Sequence, residues 1–170
     1  VAGEFEVRIE IEGLDKLKSK LKSKTAAGPA RRFLTRSGNE IIAKAKPLTP
    51  VNTGTLRRSI DKEVAGDTPI PTFVKVGTNV EYAPFVEFGR DPGERPPYDA
   101  ISWWYRRKRG LAPDANIFAA VTAIQDKIER VGIKEKPFLR DGFEQAVPMI
   151  QRHVYTFADE LEEAYKRGSS

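Results

Sequence analysis

The chain has 170 residues and carries 29 Lys plus Arg against 24 Asp plus Glu, a net charge of +5, with no cysteine and one histidine. That length suits one domain with a real core, while the missing thiols rule out disulfides and thiolate sites, and the lone His153 argues against a His-based metal site or catalytic dyad. The basic excess permits contact with nucleic acid without demanding it, and much of it sits in two clusters, Lys16–Arg36 and Arg106–Arg109.

From Glu4 to Glu12, Phe5, Val7, Ile9 and Ile11 alternate with charged residues, which predicts a strand with one wet face. The same alternation is unlike a secretory leader, and no run of 18 apolar residues occurs, so the expectation is a soluble, intracellular protein with no membrane partner. Leu14, Leu17 and Leu21 then predict a short basic amphipathic helix up to about Lys24, whose lysines read as a solvated face; Gly28-Pro29 is expected to break the chain. A second helix is predicted from about Pro29 to Lys46, with Phe33, Leu34, Ile41, Ile42 and Ala45 inward. The small Ser37 and Gly38 in that stripe would let another element approach closely.

Leu48 to Ile60 reads as a hinge. Pro50 forbids continuation of the helix, Asn52 to Gly54 is turn chemistry, and an ordered element resumes at Leu56. Two strands follow, Arg58–Ala65 and Thr72–Asn79, joined by a turn-rich link. Tyr82 to Gly89 is limited by Pro84 and Gly89 to a turn or two of helix, with Tyr82, Val86 and Phe88 expected to fill core. Asp91 to Pro97 reads as a mobile loop. A helix over about Tyr98–Arg109 ends in RRKRG, where cations in the last turn and a following glycine are what a helix C-terminus favours. The next helix, Ala115–Arg130, would turn Ile117, Phe118, Val121, Ile124 and Ile128 inward. The last, about Asp141–Arg167, carries an apolar stripe from Phe143 to Tyr165 and contains Pro148, expected to kink it or mark a late start. At about 1.5 Å per residue it would reach roughly 35 to 40 Å, longer than a small core needs, so part of the stripe is expected to face another subunit.

Three pieces of this chain form a recurrent pattern: Pro50-x-Asn52-Thr53-Gly54-x-Leu56-Arg57-x-Ser59-Ile60, then Tyr82-Ala83-x-x-Val86-Glu87-Phe88-Gly89, then Pro137-Phe138-Leu139-Arg140. In this order they resemble the short neck, or tail-completion, proteins of long-tailed bacteriophages. Arg90 stands where that family often has Thr, and Asp141-Gly142 replaces a frequent Pro-Ala. The family often has a Trp-basic-Gly segment and a second helix where this chain has Tyr98–Arg130. The resemblance implies an α+β fold in a single domain over residues 1–170. A small antiparallel sheet would pack with a long helix from the N-terminal half and a long C-terminal helix, and residues 91–132 would form an inserted loop and helical hairpin.

Enzyme signatures are missing: there is no Gly-rich phosphate loop, no nucleophile elbow and no metal-spaced His or Cys cluster, so no catalytic, metal or cofactor residues are assigned. Glu81, Glu87 and Asp91 could form an acidic nuclease-like site only if the fold gathered them. The resemblance implies a structural virion protein at the head-to-tail interface, present in the host cytoplasm during assembly. It would be a homo-oligomeric ring of six or twelve subunits between head-completion or adaptor proteins and tail-tube or tail-terminator proteins. DNA would pass through its lumen without sequence readout. The alternatives are a tail-terminator ring, or a DNA-binding protein that uses Arg106, Arg107, Lys108 and Arg109 beside Trp103, Trp104 and Tyr105. Finally, Arg57, Glu87 and Arg140 are charges set among apolar neighbours. Such a charge snorkels to water or finds a partner, and Glu87 is expected to be bridged by at least one of the two arginines.

Overall fold

The computed structural model describes residues 5–10, 23–51, 53–66 and 70–168. Residues 11–22, and with them nearly all of the expected Leu14–Lys24 helix, lie outside the described residues, as do Asn52, 67–69 and the last two serines. The elements run β1 (Phe5–Glu10), α1 (Ser23–Leu48), α2 (Thr55–Ser59), β2 (Asp61–Ala65), β3 (Phe73–Thr78), α3 (Ala83–Glu87), α4 (Tyr98–Arg109), α5 (Phe118–Val131) and α6 (Phe138–Gly168). No described helix is long and apolar enough to cross a membrane. The fold is α+β, as expected.

The three strands form one antiparallel sheet in the order β1-β3-β2, so the central strand is the last in sequence. Val7 pairs with Val76 and Ile9 with Val74, while Val64 faces Val74 from the other side, which puts the alternating apolar residues of all three strands on one face. Val74 and Val76 are fully buried there. The reverse face is charged: Lys75 meets Glu6 at 3.1 Å, and the Arg8 guanidinium lies 4.0 Å above the Phe73 ring. This is the two-sided pattern that period-2 alternation predicts.

The apolar face is covered by α1, over β2 and β3, and by α6, which reaches β1 and packs along α1. Their shared core holds Phe33, Leu34, Ile41, Ala45, Phe138, Leu139 and Ala146. Gly38 serves the close approach expected of it, because a Cβ there would lie 3.0 Å from Val74 Cγ2. Gly142 is tighter still. A Cβ on it would come within 2.6 to 2.8 Å of the Cα, N and Cβ of Ala45, so the two long helices touch backbone to backbone at this point.

Several boundaries differ from expectation. Helix α1 begins at Ser23 and runs through Gly28-Pro29, where a break is predicted. Ala26, Ala30 and Ile70 are buried around that turn with Phe157 and Leu161 against them, and this packing offsets the hydrogen bond that proline removes. The segment 55–59 is helical, so the strand expected from Arg58 begins at Asp61. Helix α6 starts at Phe138, before the expected Asp141, and continues through Pro148. Pro148 and Glu144, whose carbonyl the proline leaves unpaired, are both on the exposed side, where water can serve that oxygen.

Candidate functional site

The three motif pieces converge on one buried junction. In the first, Thr49 closes α1 by hydrogen bonding to the Ala45 carbonyl through both its backbone N–H (3.1 Å) and its hydroxyl (2.9 Å). Past Pro50 the chain turns through Thr53, whose hydroxyl meets that of Thr55 at 2.8 Å, and through Gly54, which has φ 74° and whose carbonyl accepts the Arg58 N–H. Leu56 and Ile60 thereby point into the core. The Ser59 hydroxyl donates to the Leu56 carbonyl at 2.9 Å, which leaves Thr78 as donor in the 2.6 Å contact between the two hydroxyls. Thr78 Oγ1 in turn accepts the Val80 N–H, so α2 is tied to the end of β3.

The second piece contains α3, started by Pro84 in its first turn and ended at Glu87. Its buried residues are Ala83 and Glu87, not the aromatics. Tyr82, Phe85 and Phe88 are exposed, Phe88 at 60%. The expectation that Tyr82 and Phe88 fill core is therefore wrong: a helix of five residues has only one inward side, and Ala83, Val86 and Glu87 occupy it.

Glu87 is 1% exposed. Its Oε2 accepts the backbone N–H of Leu139 and its Oε1 that of Arg140, both at 2.9 Å. These amides belong to the first turn of α6, where N–H groups have no partner inside the helix and the helix dipole favours a negative charge. The carboxylate is thus a cap supplied from another element, and its bonds are of the stronger, charge-assisted kind. A 2.7 Å bond from the Lys136 N–H to the Val86 carbonyl holds the chain just before the helix.

The expected arginine bridge to Glu87 is corrected by this geometry. Arg57 reaches the Thr49 carbonyl at 3.4 Å, and the Arg140 guanidinium lies 3.7 Å from Glu135 and 3.8 Å from Asp141. The main chain of α6 takes the place that a side-chain cation was expected to fill. Nor do Glu81 and Asp91 join Glu87: both are exposed, and no three His, Asp or Glu among the described residues are placed to hold a metal ion.

Gly89 closes the second piece with φ 72°, and a Cβ there would lie 2.5 Å from the Ile133 carbonyl oxygen and 2.8 Å from the Glu135 nitrogen. One residue on, Arg90 and Ile133 exchange two backbone hydrogen bonds of 2.8 Å each. Everything between them forms the α4–α5 hairpin and its loop. Residues 91–97 have no helix or strand beyond the Arg90 bridge, yet the Gly93 N–H donates to the Glu129 carbonyl, Gln125 donates to the Pro96 carbonyl at 2.7 Å, and Arg95 pairs with Asp126. These bonds oppose the mobility its composition suggests. Val121 is buried in α5, but Phe118 is 66% exposed and only meets the Tyr98 ring at 6.0 Å, so its inward placement is also corrected.

At the tip of the hairpin, Arg106 donates to the carbonyls of Ala112 and Ala115 and so fastens the turn after α4. The other three cations lie over rings one helical turn back: Arg107 over Trp103 at 4.8 Å, Lys108 over Trp104 at 4.7 Å and Arg109 over Tyr105 at 5.8 Å.

The pairing of α1 with α6 holds one feature that sequence reading missed. Glu160 receives Arg32 at 2.6 Å and Arg36 at 2.7 Å. Burial pushes its pKa up, but the hydrogen bonds and charges of the two arginines outweigh that and hold it below the usual carboxylate value. Two arginines four apart were the only local signal, and their partner lies more than a hundred residues away. His153 packs on the same side of α6, its Nε2 3.7 Å from Glu40.

Residues 12–89 match a sequence family described as "Bacteriophage HK97-gp10, putative tail-component". No curated protein and no solved structure matches the chain. The family match agrees with the resemblance to phage neck and tail-completion proteins. By its description the family is one of structural tail components rather than enzymes. It covers the first two motif pieces and ends at Gly89, one residue before the Arg90–Ile133 bridge.

Proposed function

We propose that this protein is a structural component of the phage virion acting at the head-to-tail connector, as a neck or tail-completion ring that joins the DNA-filled capsid to the tail tube. The observation that carries this reading is the match of residues 12–89 to a phage tail-component family, ending at the start of the bridged hairpin. On this view the sheet, α1 and α6 are the single domain and residues 91–132 are an accessory insertion, which the two hydrogen bonds at its base support. Its work is assembly rather than catalysis, and its place is the virion.

Ring formation is supported by apolar surface that one subunit does not use. Met149, Val154 and Tyr155 are exposed along α6, and Tyr82 and Phe85 around α3. Head-to-tail contacts between identical subunits close only under rotational symmetry, so we read the assembly as a closed ring of six or twelve subunits. Its neighbours would be an adaptor or head-completion protein on one side and a tail-tube or tail-terminator protein on the other.

Electron microscopy of virions carrying an epitope tag on this chain tests the proposal. Label at the junction between capsid and tail is the expected result. Label confined to the distal tail tip, or its absence from virions, would overturn the assignment.

A further inference from the structure

We infer that the tip of the α4–α5 hairpin is a binding site for the phosphodiester backbone of duplex DNA, made by Arg107, Lys108 and Arg109. The proposal deepens the connector reading, on which the choice of DNA as the polyanion rests.

The first observation is uncompensated charge. Residues 100–113 hold four cations and no acid. Elsewhere arginine and lysine side chains repeatedly find carboxylates, as Arg32 and Arg36 do with Glu160, Lys75 with Glu6 and Arg95 with Asp126. No described carboxylate lies within ion-pair distance of residues 106–109. The helix terminus does not account for all four, since Arg106 alone is committed to carbonyls of the turn.

The second observation is how the remaining three are held. Each lies over an aromatic ring of its own helix at 4.7 to 5.8 Å, which restrains the side chain, and all three residues are exposed to solvent. Restrained donors lose less freedom on meeting a phosphate oxygen than free ones do.

The third is direction. Consecutive helical residues point about 100° apart, so these cations fan around the end of the helix and do not line up on one face. A docking face for a folded acidic protein needs aligned charges. A dense linear polyanion, with one charge per about 1.7 Å of duplex axis, is met from any side. An anionic membrane would also engage the exposed Trp103 and Leu111 beside these cations, so vesicles are included as an arm of the test. The geometry offers no row of side chains aimed at base edges, so binding would be independent of sequence.

The test uses the full chain with a fluorescent random-sequence 30-base-pair duplex, read by anisotropy across a salt series. Three neutralised phosphates predict a slope of log affinity against log salt of about −2.7, which is roughly a 40-fold loss from 50 to 200 mM. The triple variant Arg107→Gln, Lys108→Gln, Arg109→Gln should remove that binding while its circular dichroism and melting temperature stay as in wild type. Equal binding by wild type and variant, or no binding by wild type at 20 mM salt, overturns the proposal. So does tip-dependent binding to poly-glutamate or to phosphatidylserine vesicles in place of the duplex. The position of the tagged wild-type chain in virions is scored separately: label at the capsid–tail junction without tip-dependent duplex binding overturns this inference alone, and tip-dependent binding without that label overturns the connector reading alone.

Discussion

Glu87 Oε2 accepts the backbone N–H of Leu139 at 2.9 Å across 52 residues of chain. With the parallel bond to Arg140, this ties α3, which lies between β3 and the hairpin, to the start of α6. The motif Glu is therefore structural: it is the last residue of α3, and its carboxylate caps the first turn of α6.

Replacing it tests that role. Glu87→Ala should destabilise the subunit by about 2 to 4 kcal/mol, because two first-turn amides lose a charged, buried acceptor. Glu87→Gln, which keeps one acceptor oxygen, should lose less. In urea unfolding the double-mutant cycle with Arg57→Ala should show coupling of about 0.5 kcal/mol or below, since Arg57 bonds to Thr49 instead. A coupling near the full loss would restore the arginine bridge.

Gly142→Ala sets two effects against each other. Alanine raises intrinsic helix stability by about 1 kcal/mol over glycine at an open position. Here its Cβ would lie 2.6 to 2.8 Å from Ala45, and separating α1 from α6 should cost about 1 to 3 kcal/mol more than that gain. Thermal unfolding should show a lower melting temperature; a rise would mean that the helices separate without loss.

The Glu160 cluster predicts a pH dependence. Its pKa is lowered in the folded state, so the stability it contributes is present above the usual carboxylate value of 4.5 and is lost as pH falls through the lower folded value. Because Arg32 and Arg36 are about half exposed, the contribution is about 1 kcal/mol or less. The difference in melting temperature between wild type and Glu160→Gln should be constant from pH 7 to about 5 and should shrink below 4.5. A gap that widens in acid would contradict the assignment.

Gly89→Ala should open the base of the hairpin. A side chain at φ 72° is strained by about 1 to 2 kcal/mol, and here it also meets the Ile133 carbonyl. Hydrogen exchange should show the Arg90 and Ile133 amides protected in wild type and fast in the variant, with the amides of β3 little changed. Slow exchange at both amides in the variant would show that the bridge tolerates the substitution.

What could be read from sequence was what neighbours in the chain determine. Alternation in Phe5–Glu10, the stripe of Leu34, Ile41 and Ala45, and the RRKRG ending of α4 are periods and caps set within a few residues, and each appears where expected. The convergence of the motif pieces was legible only as order along the chain. Tertiary packing decided the rest. It carried α1 through Pro29 by burying Ala26 and Ala30, and turned Ala83 and Glu87 inward while leaving Tyr82 and Phe88 outside. It also chose backbone amides over arginine for Glu87, and found Glu160 for two arginines on another helix. Hydrophobicity and charge state that a residue needs burial or a partner. Which partner it meets is a property of surfaces brought together across 52 residues or more, and no local spacing encodes that.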